Sequence, residues 1–157
     1  MVLLQKFGVR ALFAPVLRLS AILNHWVERY VAPVFALALR VYLANVFLRS
    51  GLLKLRDWSA TLDLFDYVYQ VPLLPPHLAA VMGTAGELGL SVLLLLGLFG
   101  RFSAAGLFVV NAFAAVSLPG ISALGLQDHF LWGTMIATLA VSGAGTLSAD
   151  AWLARKP

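Results

Sequence analysis

Apolar residues dominate this chain in blocks rather than in short alternations. Four blocks reach the length that crosses a bilayer as a helix, about 17–25 residues. They are Ala32–Leu53, Leu78–Phe99, Phe102–Leu118 and Phe130–Leu147. Gly100–Arg101 is all that separates the second from the third, so these two are expected to be antiparallel neighbours. Pro119–Gly120 ends the third, and Pro119–Asp128 is another short connection. Ahead of the first block the pattern changes to helical amphipathicity. Leu12, Val16, Leu19, Leu23, Trp26 and Tyr30 recur on one side, with Arg10, Arg18, His25, Glu28 and Arg29 on the other. Pro15 is read as the start of the regular part. A basic face opposite a Trp/Leu face predicts a helix lying on the inner leaflet, with docking to a cytoplasmic partner as the alternative.

The stretch 55–77 is too long and too aromatic for a bare linker. Within Ser59–Gln70, Leu62, Phe65, Val68 and Tyr69 share a side, which predicts a short helix over the outer mouth of the bundle. Val71-Pro72-Leu73-Leu74-Pro75-Pro76 then breaks helicity. The expected fold is an all-α four-helix transmembrane bundle, with an interfacial helix over residues 1–31 and the transmembrane domain over 32–153.

Composition supports this class. Of 157 residues, 61% are hydrophobic and 11% charged, against about 45–50% and about 25% in soluble domains. The net charge of +4 comes from basic residues that flank apolar blocks, so it marks topology rather than nucleic-acid binding. With the N-terminus inside, Lys6, Arg10, Arg18, Arg29, Arg101, Arg155 and Lys156 are cytoplasmic. Lys54 and Arg56 are outside, offset by Asp57, Asp63, Asp66 and Asp128. N-in and C-in is therefore expected. Met1–Ala14 lacks the pattern of a cleavable signal peptide. The absence of cysteine excludes disulfide, thiol-redox and thiolate-metal chemistry within this chain.

Candidate chemistry lies inside the apolar blocks. Glu87 is the lone charge in its block, and a carboxylate near mid-bilayer costs roughly 2.5–3.5 kcal/mol unless it faces protein and is paired. In the first block, Arg40, Phe47, Gly51 and Lys54 fall within about 40° of one another at about 100° per residue. Arg49 lies opposite. Counting depth at about 1.5 Å per residue puts Glu87, Arg40, Arg49 and Asn111 within reach in height. This predicts a buried cluster of Glu87, Asn111 and Arg40, with Thr138 as a further member. Whether Arg40 or Arg49 neutralises the carboxylate stays open, and a purely structural interhelical role is the competing reading. Arg40, Lys54 and Arg49 have a further alternative, snorkelling to the interface.

The ordered set Arg40-x6-Phe47-x3-Gly51-x2-Lys54, Val71-Pro72…Pro75-Pro76, Glu87…Gly97-x3-Arg101 and Gly143-x-Gly145-x2-Ser148-x-Asp150 resembles the DoxX family of small bacterial four-helix membrane proteins. The resemblance runs from about Arg40 to Leu153. Ala44 stands where the family commonly has glycine, and Arg49 where an apolar or aromatic residue is usual. The resemblance implies a redox setting in the bacterial inner membrane. Relatives include the membrane subunit of thiosulfate:quinone oxidoreductases and a component associated with thiol- and superoxide-stress enzymes.

By analogy the chain binds quinone or a small apolar ligand, or holds a redox or stress partner at the membrane. It would be at most a quinone-linked oxidoreductase subunit. Phe47 and Trp132 are expected to line the ring slot, Arg40 or Lys54 to polarise an oxygen, and Asn111 to complete the site. Glu87 is the candidate proton donor. The sequence carries no haem-ligand pair, flavin fingerprint or cysteine set, so electrons must come from a partner or a small reductant. The alternative function is a non-catalytic scaffold for a stress or metal-handling pathway. Homo-oligomerisation stays open. His77, Asp128 and His129, at the outer starts of two helices, are the candidates for a metal, although they fit no known ligand spacing. Arg101 and Asp150 are expected to form a structural pair or helix caps.

Overall fold

A computed structural model describes residues 2–155, with side chains from residue 13. The side chains of Lys6, Arg10, Leu12 and Lys156 lie outside the described residues. The described residues are helical, without strands. The chain separates into two compact units, one up to Phe35 and one from Ala36.

The first unit holds α1 (Val2–Trp26) and a wider π-type turn, Val27–Val31. Pro15 does not start α1 but lies inside it. Leu19, Leu23, Trp26 and Tyr30 are all exposed, as are Arg18, His25, Glu28 and Arg29. Trp26 and Tyr30 touch at 4.9 Å between ring centroids, and the Arg29 guanidinium lies 5.7 Å from the Tyr30 ring.

The second unit is built on four long helices. These are α2 (Ala32–Arg56, entering this unit at Ala36), α4 (Pro76–Leu96), α5 (Gly100–Ser117) and α6 (Ala123–Ser142). Two shorter ones, α3 (Trp58–Tyr67) and α7 (Ala149–Leu153), close its ends. Among the described residues, three helical stretches are long and apolar enough to cross a membrane, one within Phe13–Arg56 and the others α4 and α5. No more than 33% of each spanning window is buried. Side chains such as Val92, Leu96, Phe108 and Val109 instead form an apolar outer surface suited to lipid.

The fourth long helix departs from the expected block. Phe130–Leu147 is replaced by Ala123–Ser142 because the Ser122 hydroxyl accepts from Gly125 N–H at 3.0 Å and starts the helix seven residues earlier. Gly143, at φ +86, ends it. The early start draws Gln127, Asp128 and His129 into α6, and these polar residues leave it short of the hydropathy of the other three.

The other boundaries follow similar local chemistry. The connection between α4 and α5 is 97–99, because Gly97 takes φ +67 and Leu98 N–H returns to Leu93 O at 2.9 Å. Asp150 then accepts from Phe99 N–H at 2.8 Å and Gly100 N–H at 2.7 Å, capping α5 across the fold. This bears out the capping alternative for Asp150, while Arg101 is exposed. The loop helix α3 begins where the Asp57 carboxylate accepts from Ala60 N–H at 2.9 Å. That bond, with the Ser59 hydroxyl, holds the carboxyl below the usual carboxylate range.

Interior positions recur at helical spacing. On α2 they are Arg40, Leu43, Ala44, Phe47 and Gly51, and on α4 Ala80, Thr84, Glu87, Ser91 and Leu94. Leu43, Phe47, Leu94, Ala104, Leu107, Ile136 and Leu139 form the core. A smaller cluster of Phe65, Ala79 and Ala80 seats α3 against α4. Small residues let the backbones approach. A methyl at Gly51 would lie 2.7 Å from Leu88 Cγ and 3.3 Å from Glu87 Cβ.

Candidate functional site

Glu87 is buried, and its partner is Lys54. The Lys54 Nζ donates to Glu87 Oε1 at 2.7 Å and Oε2 at 2.6 Å, and to the Ser50 hydroxyl at 2.9 Å. All three ammonium donors are thus committed. Lys54 lies three residues after Gly51 on α2, and a methyl at Gly51 would already meet Glu87 Cβ at 3.3 Å. The Glu87 carboxylate makes no other hydrogen bond among the described residues. The Lys54 and Glu87 side chains retain 18% and 8% of their exposure, so the pair is shielded but reachable.

What reaches it is a cavity of about 380 Å³ that Lys54 and Glu87 help to line. Its other walls are largely apolar and aromatic, including Phe47, Phe65, Tyr69, Phe113, His129 and Trp132. The volume lies in the usual range for small-molecule sites, about 300–1,000 Å³. The Phe47 and Trp132 rings meet edge-on at 5.9 Å, which fixes two flat surfaces. The Trp132 indole N–H points to the Tyr42 hydroxyl at 3.4 Å. A second space of about 150 Å³ shares Ser50, Lys54, Phe65 and Tyr69 with the first. Lys54 therefore borders both.

The loop after α3 forms part of this wall. Gln70 N–H donates to Ser117 O at 2.7 Å, tying the loop to the end of α5. Burial, and then the negative charge of Glu87, push the Tyr69 hydroxyl above the usual phenol range.

Asn111 pairs with His129 rather than with Glu87. Its Nδ2 donates to His129 O at 2.9 Å, and its Oδ1 lies 2.9 Å from His129 Nδ1. His129 in turn meets the Trp132 ring at 5.2 Å.

The DoxX family model matches residues 35–120, more than half of the chain. The chain belongs to the DoxX family. No match to a curated protein or to a solved structure was found. The matched span includes the Arg40–Lys54 stripe, the proline-rich loop and Glu87. The Gly143–Asp150 motif lies beyond it.

In this DoxX protein the expected cluster of Glu87, Asn111 and Arg40 divides into three separate arrangements. Arg40 is 1% exposed, but its guanidinium donates to Leu95 O at 3.1 Å and to Leu147 O. It serves the backbone carbonyls at the end of α4 and beyond α6. The stripe of α2 therefore carries Arg40 toward one end of the unit and Lys54 toward the other, and the partner of Glu87 is neither Arg40 nor Arg49, the two expected candidates, but Lys54. Lys54 reaches it because its long stem folds inward, where snorkelling outward was the alternative expectation. Arg49 and Thr138 are both exposed, and the Thr138 hydroxyl turns back to Thr134 O at 2.9 Å. Neither joins the site.

The three metal candidates do not converge. His77 Nε2 lies 3.7 Å from Asp66 Oδ2, His129 is held by Asn111, and Asp128 is exposed. No group of three or more His, Cys, Asp or Glu among the described residues is arranged to hold a metal. Sequence reasoning missed Ser50 and Tyr69. Ser50 had a signal, since it lies four residues before Lys54 and so on the same helix face. Tyr69 had a partial one, since the 59–70 pattern set it on the same side as Phe65, which its ring meets at 5.0 Å.

Proposed function

We propose that this integral membrane protein is the membrane subunit of a redox or oxidative-stress system, and that it binds the head ring of a quinone or a similar small apolar ligand beside the Lys54–Glu87 pair. The observation that carries this reading is an ion pair, its ammonium fully hydrogen-bonded, forming part of the wall of an aromatic cavity large enough for one substituted ring. Phe47 and Trp132 supply flat apolar contact. Lys54 holds Glu87 through two donors where one would neutralise it, so one N–H can turn to a ring oxygen without breaking the pair. That donor stabilises negative charge developing on the oxygen. Glu87 keeps the ammonium charged in apolar surroundings; ionised in this pair it holds no proton, so it can act as the proton donor only after taking up a proton from Lys54 or from water. Electrons enter from a partner protein or a small reductant. Membership of the DoxX family supports a bacterial inner-membrane setting, and the distribution of Arg and Lys supports both termini in the cytoplasm.

Solvent extraction of the purified protein tests this. Quinone is expected in stoichiometric amount in the wild type and to fall about tenfold in Glu87→Gln and Lys54→Met. Quinone at the level of the surrounding lipid in all three proteins rules the reading out. If a co-purifying partner is then retained equally by all three, the scaffold alternative replaces it.

A further inference from the structure

Asn111 does more than join α5 to α6. Its amide orientation is fixed by its own contacts, because only Nδ2 can face the His129 carbonyl without repulsion. Oδ1 must then face His129 Nδ1 at 2.9 Å, and two acceptors cannot share that contact. Nδ1 therefore carries a hydrogen and donates it to Asn111. In the neutral ring this leaves the lone pair on Nε2, which makes no hydrogen bond among the described residues. His129 is among the residues that line the cavity, and its imidazole packs on Trp132. The cavity is thus lined by a cationic donor, Lys54, and by His129, whose neutral ring has an acceptor to spare at Nε2.

We infer that His129 is a ligand-contacting residue whose Nε2 accepts a hydrogen bond from a hydroxyl of the bound ring, so that the cavity prefers a hydroxyl-bearing, reduced ring to one whose oxygens carry no hydrogen. Asn111 is the positioning residue that sets the tautomer. The inference rests on the proposed ligand cavity and adds the chemical class of what it selects. A carbonyl oxygen satisfies Lys54 but offers His129 nothing. A ring with one hydroxyl toward His129 and one oxygen toward Lys54 satisfies both.

The test compares a water-soluble short-chain hydroquinone with its di-O-methyl ether, under anaerobic conditions, by quenching of tryptophan fluorescence in detergent. One neutral hydrogen bond corresponds to a preference of about five- to tenfold. The wild type is expected to favour the hydroquinone by at least that factor. His129→Leu and Asn111→Leu are expected to lower the ratio by about five- to tenfold, while His129→Gln, which keeps an acceptor, retains part of it. A change confined to packing would weaken both probes alike and leave the ratio unmoved. Equal binding of the two probes by the wild type, or an unchanged ratio in His129→Leu, overturns the role of His129 and leaves the cavity reading standing. If the wild type binds neither probe, the cavity reading fails and this inference falls with it.

Discussion

Replacing Lys54 by methionine tests whether the buried carboxylate depends on this one ammonium. The substitution keeps most of the side-chain volume and removes both donors to Glu87, at 2.6 and 2.7 Å. Breaking a buried ion pair by removing one member costs about 3–5 kcal/mol. The carboxylate has an escape, since it can take up a proton. For a solvated glutamate at pH 7 that costs about 3.7 kcal/mol, which sets a ceiling near the middle of the same range. A loss of about 3–4 kcal/mol is therefore expected. For a chain of this length it corresponds to a fall in Tm of about 6–15 °C.

The reverse substitution, Glu87→Gln, is expected to be milder, at about 1–2 kcal/mol. Lys54 keeps the Ser50 hydroxyl at 2.9 Å, and 18% of its side chain is already exposed, so the ammonium can turn toward water. The double variant Lys54→Met/Glu87→Leu removes both charges and is expected to recover most of the single-variant loss. Thermal unfolding in detergent, read by tryptophan fluorescence and by retained monodisperse elution, measures all three. The reasoning is refuted if Lys54→Met melts no lower than Glu87→Gln, or if the double variant is less stable than Lys54→Met alone.

Three further outcomes follow from the same geometry. Tyr69 should ionise later than the exposed tyrosines in an alkaline absorbance titration, and Glu87→Gln should move it back toward them; because the folded state holds this phenolic proton more tightly than the unfolded chain, the stability it contributes is complete below the ordinary phenol pKa and lost as pH rises through the folded value. Gly51→Ala should lower Tm by several degrees because the added methyl would meet Leu88 Cγ at 2.7 Å, and Leu88→Ala should restore part of the loss, whereas an unchanged melting point would show that α2 and α4 are not in close contact. In this cysteine-free chain, Asp66→Cys should react with a membrane-impermeant maleimide added to intact cells and Arg101→Cys should not; the opposite pattern inverts the assumed orientation.

Much of the fold was legible because burial and helical period are tied together. The α2 stripe could be read from Arg40, Phe47, Gly51 and Lys54, since about 100° per residue leaves little choice of face. What the sequence left hidden depended on where helices start. Hydropathy finds apolar runs, but a helix begins at a cap, and caps are polar. Ser122 therefore moved α6 by seven residues. That shift hid the partner of Asn111. Once α5 ends at Ser117 and α6 begins at Ala123, Asn111 and His129 stand six residues from the ends of two antiparallel helices, at equal height. The pairing of Glu87 was hidden for another reason. Depth counts follow backbones, whereas a lysine stem spans several ångströms in either direction.

The division of labour along α2 bears on the choice between glue and site. At one end, Arg40 and Asp150 satisfy backbone carbonyls and amides, binding helix ends that would otherwise leave polar groups in an apolar setting. Those contacts serve helix ends, and their stabilising role is complete without a ligand. At the other end, Lys54 and Glu87 satisfy no helix terminus. They satisfy each other, in a place where two apolar side chains would pack with no desolvation cost. They also stand beside open volume, which forfeits dispersion contacts that a sealed pair would keep. An arrangement that accepts both costs is hard to explain by cohesion alone. It is the arrangement expected where charge faces a bound ring, and it supports the ligand site proposed at the Lys54 end of α2.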